Sequence, residues 1–189
     1  MRISKSAVLL AAVVATAGLT GSPASATSTT APIAALDITA IGYNAYGADT
    51  STNRNAEFVE VKNVTETPVN VANLLLQDAW ARGRDKTTGC NTFKLAAGVL
   101  PVASGGVADE LPSGAVLRIH MGAGTPGVDR ANVRHVYANM RTACGYNGHI
   151  FNNGPSGSNK WAAWDTAWIT LGSDSESKSY NFSFGYMAR

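Results

Sequence analysis

Histidine and cysteine are scarce in this chain, with three of the first and two of the second among 189 residues. His120, His135 and His149 are widely spaced and form no His-x-His or His-Glu-x-x-His pair, so no short-range metal motif is present. Cys90 and Cys144 form no Cys-x-x-Cys, which removes the common redox and zinc-ribbon spacings. Gly154-Pro155-Ser156-Gly157 is not a Gly-x-Ser-x-Gly elbow, and its proline disturbs the strand-to-helix turn such an elbow needs. It reads as a turn. Asp49, Asn53 and Asn55, and separately Asp174 and Glu176, offer oxygen ligands without the glycine and terminal glutamate of a calcium loop. No catalytic residue, metal site or cofactor is expected.

Long apolar runs are also lacking. Ala7–Leu19 is uncharged and apolar but shorter than the roughly 20 residues that span a bilayer. With Arg2 and Lys5 before it and Pro23-Ala24-Ser25-Ala26 after it, this stretch has the form of an export signal cut after Ala26. No twin arginine and no lipid-bearing cysteine accompany it, and the expected product is secreted and soluble, without a membrane anchor. Charge of one sign is missing too. The full chain carries 15 basic and 13 acidic residues. Removing residues 1–26 takes Arg2 and Lys5 and no acid, leaving 13 and 13. A neutral protein has no overall field to gather nucleic acid or anionic lipid. The cluster Arg82, Arg84 and Lys86 is the one basic spot, expected in a solvated loop between strands.

What is present is a period of two. Val59 and Val61 alternate with Phe58, Glu60 and Lys62; Leu117, Ile119 and Met121 alternate with Val116, Arg118 and His120. Ala167, Ile169 and Leu171 alternate with Trp168 and Thr170, and Tyr180, Phe182, Phe184 and Tyr186 alternate with small polar residues. Each is the pattern of a strand with one buried face. Leu74-Leu75-Leu76 is apolar on both faces, as a central strand can be. Arg134–Ala138 reads as a further short strand, although Val133, Val136, Tyr137 and Met140 also have helical spacing. Six to nine short strands separated by Gly, Asn, Ser and Pro clusters predict an all-β antiparallel sandwich. Residues 27–35 form a small, polar lead-in, and 36–189 one domain.

Glu57 and Glu60 in Asn-Ala-Glu-Phe-Val-Glu-Val-Lys-Asn (55–63) look like an acid–base pair, but a strand sends them to opposite faces. Glu57 is expected to be structural, accepting hydrogen bonds or pairing with a base. Glu60 and Lys62 share the solvated face, where a pair contributes little. The two cysteines of an exported chain suggest a Cys90–Cys144 disulfide, with two thiols at a metal or catalytic site as the alternative. Trp161, Trp164 and Trp168 lie close in sequence, and Trp164 and Trp168 share a strand face opposite Ala167 and Ile169. They are the candidate ligand-binding residues if that face is open; the alternative is that Pro126–Gly148, clamped by the disulfide, covers them.

The order of 55–63, Val71–Asp78, Thr92–Leu95, Leu111–His120, Ile150–Gly154, Asp165–Leu171 and Ser183–Tyr186 resembles the lamin tail domain family, in its bacterial, exported, stand-alone kind. The likeness runs from about residue 36 to 186. Two stretches depart from it: Gly172–Ser177 lacks the family's second turn glycine, and Pro126–Gly148 is longer. The resemblance implies an immunoglobulin-like β-sandwich and a non-catalytic interaction module that binds a protein or cell-envelope partner outside the cell. A polysaccharide held by exposed tryptophans is the alternative. Chromatin association in eukaryotic members brings nucleic acid into view, and the neutral charge argues against it. A hydrolase would need His, Asp or Glu from separate loops to converge.

Overall fold

A computed structural model of the chain describes residues 35–43, 52–83, 91–140, 164–181 and 187–188. Among them the chain is all-β, with two main sheets packed on one core. The first sheet holds β1 (Leu36–Gly42), β2 (Phe58–Asn63), β7 (Val116–His120), β8 (Gly127–Val128), β9 (Val133–Tyr137) and β12 (Met187–Ala188). Its strand order is β12-β1-β2-β7-β9-β8. The second holds β4 (Leu75–Gln77), β5 (Thr92–Lys94), β10 (Trp164–Leu171) and β11 (Asp174–Asn181), in the order β11-β10-β4-β5. Two short strands, β3 (Val69–Asn70) and β6 (Glu110–Leu111), pair separately. The pairings are antiparallel except β7 with β9, which run parallel.

The inward rows are those that alternation marks. Val59, Val61, Leu117, Ile119 and Val136 from the first sheet meet Leu76, Ala167, Ile169 and Tyr180 from the second in one buried cluster. Each aliphatic side chain so buried contributes about 1.5–3 kcal/mol over its exposed state. β4 sits between β10 and β5, the central place that the Leu74–Leu76 run predicts. The strand expected at Arg134–Ala138 is present one residue earlier, as Val133–Tyr137. The twelve strands among the described residues outnumber the six to nine expected because four are two-residue pairings, too short to show a period.

Local chemistry sets the joints. β10 and β11 pair Leu171 with Asp174 across Gly172–Ser173. Gly172 has φ 63°, so glycine at the first position of this two-residue hairpin supplies the backbone geometry. In β1 the register slips between Ile38 and Ala40. There β11 reaches across: the Ile38 N–H donates to Glu176 Oε1 at 3.0 Å and Lys178 Nζ donates to the Ile38 carbonyl at 3.1 Å. Neighbouring sheet edges are stitched by side chains where the ladder breaks.

One expectation of loop is corrected. Arg82 lies in a short helix, α1 (Ala79–Gly83). Asp78 starts it, its Oδ1 accepting the Ala81 N–H at 2.7 Å while Oδ2 accepts from Asn91 Nδ2 at 2.6 Å. An aspartate at the N-cap and a glycine at the end are the reason the chain turns helical here. Arg84 and Lys86 lie outside the described residues, as do the proposed signal segment, Cys90, Cys144, His149, Trp161 and the side chain of Trp164.

Candidate functional site

The outer face of the second sheet carries the tryptophan that alternation assigned to it. Ala167 and Ile169 are fully buried and Trp168 is half-buried on the opposite side. Register places Trp168 between Ser177 on β11 and Gln77 on β4, with Thr92 of β5 beyond Gln77. The adjacent rows hold Thr166 opposite Ser179, and Ser175, Thr170, Leu75 and Lys94. Among the described side chains, the face is therefore rich in hydroxyls around the Trp168 indole. Thr166 and Ser179 share a hydrogen bond of 2.8 Å.

Arg82 projects from α1 onto this face. Its guanidinium carbon sits 4.6 Å from the centroid of the Trp168 ring, and Nη1 donates to Thr170 Oγ1 at 3.1 Å. A guanidinium stacked on indole is attracted by about 0.5–2 kcal/mol and keeps its remaining N–H groups for a partner. The expectation that Pro126–Gly148 covers the indoles is corrected in its described part. Residues 127–137 join the first sheet as β8 and β9, and the group over Trp168 is Arg82.

The outer face of the first sheet holds the ionisable chemistry. Glu60 does not pair with Lys62, two residues along; it pairs with Arg118, directly opposite in the β2–β7 register. Arg118 Nε donates to Glu60 Oε1 at 2.8 Å, and its Nη2 donates to the same oxygen. The Arg118 guanidinium also lies 4.7 Å from the Phe58 ring centroid. Cross-strand opposition places two side chains closer than an i, i+2 relation, which explains the change of partner.

Beside this pair the parallel register of β7 and β9 brings His120 and His135 together. Their inner nitrogens, His120 Nε2 and His135 Nδ1, are 2.9 Å apart. His120 Nδ1 is 3.0 Å from the Asn55 carbonyl oxygen, and His135 Nε2 is 3.2 Å from Asp129 Oδ2. Asp129 is aimed by its own turn, since Oδ1 accepts the N–H groups of Ala131 and Val133, both at 2.9 Å. Asn55 is fixed by a 3-10 turn (Arg54–Ala56) and by its Nδ2, which donates to the Ala123 carbonyl at 2.9 Å. Tyr137 stacks on His120 at 4.8 Å between centroids. A Cβ at Gly124 would collide with the Tyr137 ring, so the 122–126 segment passes close over this cluster only because glycine stands there.

The four ring nitrogens are all engaged by protein groups, and neither ring bonds a serine or threonine hydroxyl. The arrangement suits holding a proton more than activating a nucleophile, which requires a base with a lone pair directed at it. Among the described residues no group of three or more His, Cys, Asp and Glu is placed to hold a metal ion. Glu57, the other glutamate of the opening pair, is fully buried before β2. Asp165 is buried on the inward face of β10, accepting from the Thr166 N–H at 2.7 Å and from the Tyr180 hydroxyl at 3.1 Å. Burial pushes its carboxyl above the usual range, against those donors.

The histidine contact was invisible at the sequence level because it depends on a parallel pairing of two strands. The N-cap at Asp78, with Gly83 after it, was a legible signal for α1 and hence for the placement of Arg82. Comparison of the chain with family models, with curated proteins and with solved structures returns no match.

Proposed function

We propose that the chain is an exported, non-catalytic interaction module of the lamin-tail type, with an immunoglobulin-like sandwich and a Cys90–Cys144 disulfide. Its binding face is the outer surface of β11-β10-β4-β5, and its partner is a protein or other component of a cell surface. One observation carries this reading: Trp168 is half-buried on the outer face among hydroxyls, with Arg82 laid over its ring. Indole and guanidinium are the groups most often found at the energetic centre of interfaces. The ordered run of sequence motifs supports the family and its interaction role. Trp161 and Trp164 would extend the same binding surface.

A polysaccharide partner is the second reading, favoured by the hydroxyl-rich rows around Trp168. Sugar rings stack on flat aromatic surface and exchange hydrogen bonds with hydroxyl and amide groups. Retention on isolated cell walls, untreated and protease-treated, separates the two. The first reading predicts saturable binding that protease treatment abolishes; binding that survives protease and is lost on polysaccharidase treatment supports the second. Trp168→Ala removes either. Wild-type protein that shows no saturable retention, or Trp168→Ala that binds like wild type, overturns both.

A further inference from the structure

The hydrogen-bonded series across β7 and β9 ends in an acceptor on both sides. The Asn55 carbonyl oxygen faces His120 Nδ1, and the Asp129 carboxylate faces His135 Nε2. Such oxygens only accept, so both outer ring nitrogens carry hydrogen. The central contact, 2.9 Å from His120 Nε2 to His135 Nδ1, needs one further hydrogen. Three hydrogens on two rings is one more than two neutral imidazoles hold. Asp129 does not supply it: its carboxyl is held below the ordinary range, first by the Val133 N–H and then by His135.

We propose that His120 and His135 form a proton-operated latch, closed when the pair holds one added proton and opened when it holds two. A second proton puts N–H groups on both inner nitrogens, which then point at one another and repel. The rings lie 5.2 Å apart between centroids with 15° between their planes. With nitrogens in contact, that spacing means edge to edge. Their lone pairs lie nearly along one line, which fits a shared proton; a metal ion requires them to converge on a third point.

The latch ties two peripheral elements to the sheet. His120 holds the 3-10 turn through Asn55, and His135 holds the Asp129–Asn132 turn through Asp129. The charged and titratable neighbours leave a second positive charge without compensation. Glu60 on β2 is engaged by Arg118 of β7, Tyr137 of β9 stacks on His120, and Arg54 of the 3-10 turn donates to the Met140 carbonyl. Arg130 adds a further cation in the Asp129–Asn132 turn. Burial, opposed by the Asn55 carbonyl, holds His120 below the ordinary histidine value; the charges of His135 and Arg118 act with burial and Glu60 against it. The unfolded chain therefore takes up this proton first as pH falls below about 6.5. The latch's stabilisation is present between the two steps: it is lost as pH falls through the lower folded value of the second proton, and lost again as pH rises far enough to remove the single added proton.

The test is a side-chain ¹⁵N NMR titration of the histidines in the wild-type protein, with amide exchange followed in parallel. The expected result is two separate steps for the pair, the second below the ordinary histidine value. With that second step the Ala56 and Val133 amides, bonded to Asn53 and to Asp129, should lose protection severalfold beyond intrinsic exchange. His135→Gln should collapse the pair's behaviour to one step on His120 and move its midpoint. Two independent steps at the ordinary value, with both amides unchanged, would overturn the latch. The wild-type titration decides the matter even if the variant does not fold.

Discussion

Arg134 enters the core face of β9 with only 3% of its surface exposed, where alternation would place an aliphatic residue. Its Nη1 donates to the Asn132 carbonyl at 3.1 Å and to Asn132 Oδ1 at 3.3 Å, and its Nε is buried without a partner. Desolvation pushes its pKa down, since burial disfavours the charged form. Replacing such a cation by an apolar chain of similar length removes an uncompensated burial cost. Arg134→Met should leave stability unchanged or raise it by about 1 kcal/mol in urea unfolding. A loss larger than that would mean the guanidinium makes a net favourable contribution. Asp78 behaves oppositely. Asp78→Ala removes the cap of α1 and strands the Asn91 amide, at a combined cost of about 2–4 kcal/mol measured the same way. Because α1 carries Arg82, the same variant should also loosen the Arg82–Trp168 stack, read as a change in tryptophan fluorescence.

At the scale of elements, the hairpin of β10 and β11 depends on one conformation. Gly172→Ala places a Cβ at φ 63° and should cost about 1–2 kcal/mol, seen as a lowered Tm. Gly172→Asn, which tolerates that region, should cost less. Among the strands of five residues or more, β2, β7, β9 and β10 could be read from the sequence because period two repeats enough times to be distinctive, and Val59, Val61, Leu117 and Ile119 face inward as expected. β1 was not read, and of β11 only its end at Tyr180 was, residues 174–177 having been taken as turn. Two-residue strands offer no repeat, and the five-residue α1 offers less than two turns, so only its cap and its glycine could mark it. The face of Trp168 was legible from the same alternation. What covers it was not, since Arg82 arrives from a different element whose path depends on the docking of α1.

For the whole molecule, one buried cluster spans both sheets, so a truncation on either side should weaken a single cooperative unit. Ile169→Ala and Leu117→Ala, in different sheets, should each cost about 2–5 kcal/mol and leave a single unfolding transition. Acid should weaken the fold through His120 as pH drops below about 6.5, while Asp165, with its raised carboxyl, contributes in the opposite sense as it takes up a proton. The register that joins His120 to His135 belongs to this scale as well. It links strands from a non-consecutive part of the fold, and no pattern local to either histidine encodes it. The proposed binding face is likewise a property of the assembled sheet, because its rows draw on β4, β5, β10 and β11. Its most direct test is a titration of ¹⁵N-labelled protein with solubilised cell-wall extract. Saturable shifts should gather on the Trp168 indole, Gln77, Thr92, Thr166 and Ser177; shifts confined to the β2–β7–β9 face, or none at all, would contradict the proposed site.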